Sequence, residues 1–239
     1  MSDAEALAGF IDKWRERWPE WRVAEVFVTA QARAAGVAWF ALQQELLEAA
    51  WGGSDPRPGE AKLGWWAEEL QGWSQGRRRH PLGIALQRLP APWLPLAASL
   101  PVLASSREAS GSREHACAAL APVARAIAGI DAVIFDGAPR GDVAGDVLLA
   151  LQLLLLGDAA APLQVRARTG DTIAEEGVAR AWAAHLLLAW TAANDGPRPL
   201  RIHSALLRER LRRFAAGGPR MRPVPPLTTL WLAWRAARG

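Results

Sequence analysis

Few side chains in this sequence are spaced for chemistry, and the carboxylates are the first to consider. In the run FALQQELLEA, Glu45 and Glu48 are three residues apart, a spacing that puts both on one face of a helix. Hard oxygen donors placed this way can begin a magnesium or other cation site, whereas the commoner arrangement is a salt-bridged or solvent-facing pair. Asp158, in ALQLLLLGD, is a third, isolated carboxylate. Asp142 and Asp146 also have helical spacing, but they read as first-turn acids favoured by the helix dipole. The densest positive charge is Arg77-Arg78-Arg79, and Arg166 and Arg168 follow Asp158. Arg77, Arg78, Arg79 and Arg166 are therefore the candidates for binding an anion. Near an anionic bilayer each basic residue is worth about 1 kcal/mol, so the triple run assists contact without anchoring the chain. The plainer role for these arginines is a solvated turn at a helix C-terminus, where cations are favoured.

Other chemistry is poorly supported. Gly72-Trp73-Ser74-Gln75-Gly76 matches the nucleophile-elbow expression, but that serine needs a strained turn between strand and helix. Here an amphipathic helix precedes it and arginines follow. His80, His115, His185 and His203 lie far apart, with no pair at metal-ligand spacing. His80, before Pro81, reads as a turn residue. Neither a phosphate-binding loop nor a dinucleotide fingerprint occurs. Cys117 is the sole cysteine, so no disulfide framework or cysteine zinc site can form, and a cytoplasmic location fits.

The 239 residues suffice for one buried domain, 1–239, and 51% hydrophobic with 22% charged residues is globular composition. The sequence pI of 10.4 overstates the basicity. Net charge is only +4, Tyr is absent, and Lys13 and Lys62 are the only lysines. No nucleic-acid partner is read from it. The first 18 residues mix acids with apolar residues and do not read as a signal peptide. The run from Val147 to Leu156 is about half the roughly 20 residues of a membrane helix, which makes it a core helix.

The elements that must position these groups are helical throughout. Ser2-Asp3-Ala4-Glu5 is a capping box, followed by Leu7, Phe10, Ile11, Trp14 and Trp18 at helical spacing. The Ala-rich stretch from Glu20 to Trp51 predicts one long helix inside a bundle, and Gly52 to Gly59 makes a loop. Leu63, Trp66, Leu70 and Trp73 mark the apolar face of the next helix, with Glu60, Lys62, Glu68 and Glu69 on its polar face. A short helix from Pro81 and one from Trp93 or Leu94 towards Arg107 come next. Further helices are expected at Arg113 to Phe135, Asp142 to Leu156, Thr172 to Ala193, Leu200 to Ala216 and Pro226 to Arg238. Thr172 to Glu175 is a second candidate capping box, and the residues from Gly157 to Asp171 read as a separator. Most of the 13 Trp residues take core-like positions; Trp51 and Trp65 fall nearer loop edges or polar faces, suited to bordering a cavity or a partner. The expectation is an all-α, single-domain bundle of about nine or ten helices.

Several landmarks then fall in a familiar order. FALQQELLEA follows Arg33 on the long helix, and a Pro/Gly loop leads to KLGWWAEEL and HPLGIAL. LAPVARAIAGI, ALQLLLLGD and PPLTTLWLAWRAAR come after. This order resembles the squalene/phytoene synthase family, across most of the chain but with distinctive motifs only at KLGWWAEEL and HPL. The resemblance implies the isoprenoid synthase fold. In the family's enzymes two Asp-rich motifs face each other across a helical cavity and hold Mg²⁺ ions, which neutralise the diphosphates of two prenyl substrates. Here the first motif is represented by Gln43, Gln44, Glu45 and Glu48, and the second keeps only Asp158. What the resemblance implies is a non-catalytic member acting as a binding or assembly factor, with a protein partner or a prenyl lipid and no cofactor. The alternative is a divergent prenyltransferase, which would require Mg²⁺ at Glu45, Glu48 and Asp158. A peripheral membrane role rests on the arginine run and the Trp content.

Overall fold

The computed structural model describes residues 2–169, 176–191 and 195–238. Every regular element among them is helical. Helix α1 (Asp3–Arg17) starts with the capping box: the Ser2 hydroxyl accepts from the Glu5 amide at 3.2 Å, and the Ser2 amide donates to the Glu5 carboxylate at 2.6 Å. Its apolar face buries Trp14, and Trp18 ends it.

The expected helix from Glu20 to Trp51 is two. A single turn, α2 (Trp21–Ala24), passes through a 3-10 turn (Glu25–Phe27) to an extended Val28, and Thr29 caps a new helix, α3 (Ala30–Trp51). Val26, Phe27 and Val28 lose side-chain freedom in a helix, and the Thr29 hydroxyl accepts from the Ala32 amide at 3.4 Å as an N-cap. The central position survives the correction. Helix α3 packs on α1, α4 (Arg57–Ser74), α5 (Gly83–Leu86), α6 (Trp93–Ser105), α7 (Arg113–Ile134) and α8 (Gly141–Leu156). Every side chain from Val37 to Leu42 is buried. Helix α4 crosses close enough that a Cβ on Gly59 would collide with the Ala49 carbonyl oxygen. The open carbonyls at the end of α3 are capped from a distance: Arg107 donates to Ala50 at 3.2 Å, to Gly52 at 3.1 Å and to Gly53.

After α8 a 3-10 turn (Gly157–Ala160) leads to α9 (Leu163–Thr169), then α10 (Gly177–Leu188), α11 (Arg198–Ala215) and α12 (Pro226–Arg238). Helix α9 lies where a separator was expected. Its first amides donate to the carbonyls of Ser110 and Gly111 at 2.9 and 3.1 Å, a tertiary support no local pattern announces. The candidate capping box at Thr172 to Glu175 lies outside the described residues, and α10 covers the described part of the helix expected there. With α2 and α9 added, the expected nine or ten helices become twelve among the described residues. Helices α7 and α8 are apolar enough by composition to cross a membrane, but they pack on each other and on α3, α6, α10 and α11. Trp51 is not at a cavity edge: it is fully buried, and its indole donates to the Ser106 hydroxyl at 3.0 Å.

One buried ion pair joins the chain's two ends. Arg210 of α11 donates to both Glu20 oxygens, at 2.7 and 2.5 Å, and to the Arg17 carbonyl at 2.8 Å. The Val224 amide, just before α12, donates to Glu20 at 2.8 Å, and the guanidinium lies 3.8 Å over the Trp18 ring. Losing one partner strands the other charge in the core. Arg210→Ala is expected to cost about 3–5 kcal/mol in urea unfolding, whereas Arg57→Ala, which breaks the exposed Asp55 pair, should leave the midpoint where it is.

Candidate functional site

Of the two arrangements open to Glu45 and Glu48, a cation site or a salt-bridged pair, the structure has the salt-bridged one. Lys13 of α1 reaches Glu45 Oε1 at 2.5 Å, and Lys62 of α4 reaches Oε2 at 2.6 Å. Both lysines of the chain thus end on one buried carboxylate. Burial alone would push the Glu45 carboxyl up; the hydrogen bonds from Lys13 and Lys62, with their charges, hold it below the usual carboxylate range. Glu48, one turn on, takes Arg17 at 3.1 Å and the Gln44 amide at 3.1 Å, with Lys13 at 3.9 Å. Three cations, Lys13, Lys62 and Arg17, therefore face two carboxylates. Mg²⁺ needs near-octahedral oxygen ligation, and this donor set, bidentate to ammonium groups and positive overall, does not fit it.

Asp158 does not join them. It sits in the 3-10 turn, and its carboxylate accepts from the Ala179 amide at 2.7 Å, capping α10 from outside that helix. Among the described residues no three His, Cys, Asp or Glu side chains converge in a metal-holding group. Arg166 is likewise occupied: it donates to the carbonyls of Ala161, Asp158 and Ala159 at 2.9, 3.0 and 2.9 Å. This guanidinium closes a turn and is not presented to an anion.

The arginine run is exposed, as a helix-end turn requires, but mostly neutralised. Arg78 pairs with Asp3 at 2.8 Å, and Arg79 with Glu69 at 3.0 Å and Glu68 at 3.5 Å. Arg77 bonds only to the Gln75 amide oxygen among the described residues. Glu69, expected on the polar face of α4, is instead buried. It accepts from the Arg79 and His80 amides at 2.7 and 2.8 Å and from the Trp73 indole at 2.8 Å, so it organises the turn. His80 packs against Phe10 and Trp66 at 4.3 and 4.5 Å, and burial lowers its pKa to about 4. Ser74 donates to the Gln71 carbonyl at 2.7 Å at the end of α4, which leaves no elbow. Asp142 is a first-turn acid as expected, whereas Asp146 is buried and holds Arg113 at 3.1 Å and the Thr191 amide at 2.7 Å.

No family model matches this chain, and no curated protein is detectably similar to it.

Asp131, which sequence reasoning passed over, and His203, which it weighed only as a metal ligand, both line the central cavity. Asp131 of α7 and His203 of α11 line a space of about 40 Å³ together with Phe40 and Gln43 of α3. A water needs roughly 10–15 Å³, and small-molecule sites span roughly 300–1,000 Å³. The cavity holds a few waters and no prenyl chain. His203 accepts from the Trp21 indole at 3.2 Å and stacks on Phe40 at 4.7 Å. Burial, then the Arg210 charge, lowers its pKa to about 3. Asp131 accepts from the Trp39 indole at 2.7 Å, and burial raises its pKa to about 7 despite that bond. The signal was present in the sequence: both residues interrupt apolar stripes at core spacing.

The two shifts act on stability in opposite directions. A histidine held neutral contributes most above its unfolded pKa and loses stability as pH falls from about 6.5 towards 3. Asp131 binds its proton more tightly folded than unfolded, so stability falls as pH rises from about 4 to 7. Asp131→Asn keeps an acceptor for Trp39 and removes only the second effect. Relative to wild type it is expected to gain about 3 kcal/mol in urea unfolding on going from pH 5 to pH 8. A difference independent of pH would mean that Asp131 is already ionised in the folded protein.

Proposed function

We propose that this chain is a non-catalytic, squalene/phytoene synthase-like protein of the isoprenoid synthase fold, working in the cytoplasm as a binding or assembly factor for a protein partner. The observation that carries this reading is the placement of Lys13 and Lys62 on the two oxygens of Glu45. In an enzyme that ionises a prenyl diphosphate, the first carboxylate cluster must be free to take Mg²⁺, because the leaving group develops charge that the metal offsets. A carboxylate locked between two ammonium groups gives that function up and becomes a strut between α1, α3 and α4.

Two further observations agree. Asp158, the remnant of the second motif in the resemblance, is used to cap α10. The space between α3, α7, α8 and α11 is about 40 Å³, far below what a prenyl substrate occupies. The distinctive KLGWWAEEL and HPL segments are used for structure as well: they form α4 and the turn knotted by Glu69.

The test is a product assay. Purified protein incubated with farnesyl or geranylgeranyl diphosphate and Mg²⁺ or Mn²⁺, then extracted for longer hydrocarbons, is expected to give nothing above a heat-killed control. Product that disappears in Asp158→Ala would establish a divergent prenyltransferase instead.

A further inference from the structure

Exposed apolar side chains such as Leu94, Leu163 and Leu188 are scattered over other elements, whereas on α12 they gather on one face. An exposed helix face is ordinarily polar. Here the outward stripe is Leu227, Leu230, Trp231, Trp234, Arg235 and Arg238, at the spacing i, i+3, i+4, i+7, i+8, i+11 of a single face. Leu227 is 83% exposed, and Leu230, Trp231 and Trp234 are 44%, 51% and 42% exposed. The opposite face is well anchored, with Thr229 and Ala233 fully buried. Arg201 of α11 donates to the Ala236 and Ala237 carbonyls at 2.8 and 3.2 Å. The apolar stripe therefore belongs to a fixed helix and not to a frayed end.

Its charge has one sign. Arg235 lies 5.0 Å over the Trp231 ring and Arg238 4.4 Å over Trp234, and neither is paired with a carboxylate among the described residues. No Asp or Glu occurs anywhere from Arg210 to Arg238, and Arg222 stands in the loop that leads into α12, where Arg220 pairs with Glu176 at 3.3 Å. A Leu and Trp surface rimmed by arginines is the composition of helices that lie in a membrane interface, where indoles prefer the headgroup level and guanidinium groups meet lipid phosphates. A second copy docked through the same face would set arginine against arginine with no acid to offset them.

We infer that α12 docks this protein on an anionic lipid bilayer, lying in the interface plane with Trp231 and Trp234 inserted and Arg235 and Arg238 on the headgroup phosphates. This goes beyond the proposed binding role and stands or falls independently of the product assay. The probes are vesicles of phosphatidylcholine, with or without 30% phosphatidylserine, in a flotation gradient. Wild type is expected to float with the anionic vesicles and to remain below with the neutral ones, and flotation should fall between 0.1 and 0.5 M salt. Arg235→Gln/Arg238→Gln should lower partitioning roughly fivefold per arginine, and Trp231→Ala/Trp234→Ala should abolish flotation. Leu188→Ala, at an exposed leucine of α10, should float as wild type does. All these side chains are exposed, so circular dichroism should be unchanged; if a variant misfolds, the lipid and salt dependence of wild type decides alone. Wild type that stays below with anionic vesicles, or floats equally well on neutral ones, would overturn the proposal. So would a Trp231→Ala/Trp234→Ala protein that floats normally, or a concentration-dependent dimer in sedimentation velocity that this double variant abolishes.

Discussion

A buried carboxylate gripped by two ammonium groups sets the terms for the front half of this protein. Isolated in the core, Glu45 would cost several kcal/mol or would neutralise itself by taking up a proton. With Lys13 from α1 and Lys62 from α4 on its two oxygens, it stays ionised and ties both helices to α3. Two packing relations thus depend on one side chain, and the chain spends its only lysines there. Lysine suits the task, since a compact point charge on a flexible stem can reach one oxygen from each side where a planar guanidinium would claim both.

The same economy recurs wherever helices meet. Arg210 on Glu20 joins α11 to the α1–α2 corner, Arg113 on Asp146 joins α7 to α8, and Glu69 gathers the turn after α4. Asp158 and Arg166 satisfy backbone groups of neighbouring turns. Polar groups that form a reaction centre in an enzyme must be left partly unsatisfied until substrate arrives. Here the buried carboxylates Glu20, Glu45, Glu69 and Asp146 each have protein partners, while the buried indoles of Trp66, Trp93 and Trp182 have none among the described residues. At the surface, α12 turns apolar and cationic side chains outwards on one face.

Helical character and most boundaries were legible in the residues, because periodicity and capping are local. The Ser2 box and the Arg113, Gly141 and Pro226 helices fall within a residue or two of where the pattern puts them. What was not legible depended on contacts across the fold. The break before Thr29 required choosing its hydroxyl as a cap over an uninterrupted Ala-rich pattern, and α9 is supported by carbonyls some fifty residues upstream. Glu69 and Asp146 look like surface acids until their partners, a turn in one case and α7 in the other, are in place. Spacing identified Glu45 and Glu48 as neighbours; that Lys13 and Lys62 converge on them belongs to the tertiary structure alone.

In the reading proposed above, the Glu45 carboxylate serves as a lysine-bound strut and not as a metal ligand. Titrating Mn²⁺ with protein and following the free-ion sextet by electron paramagnetic resonance tests it directly, without depending on any substrate. The account predicts a sextet of undiminished amplitude at equimolar protein near neutral pH. A sextet that shrinks as wild-type protein is added, and recovers with Glu45→Gln, would show that the lysines yield the site to a divalent cation and would contradict it.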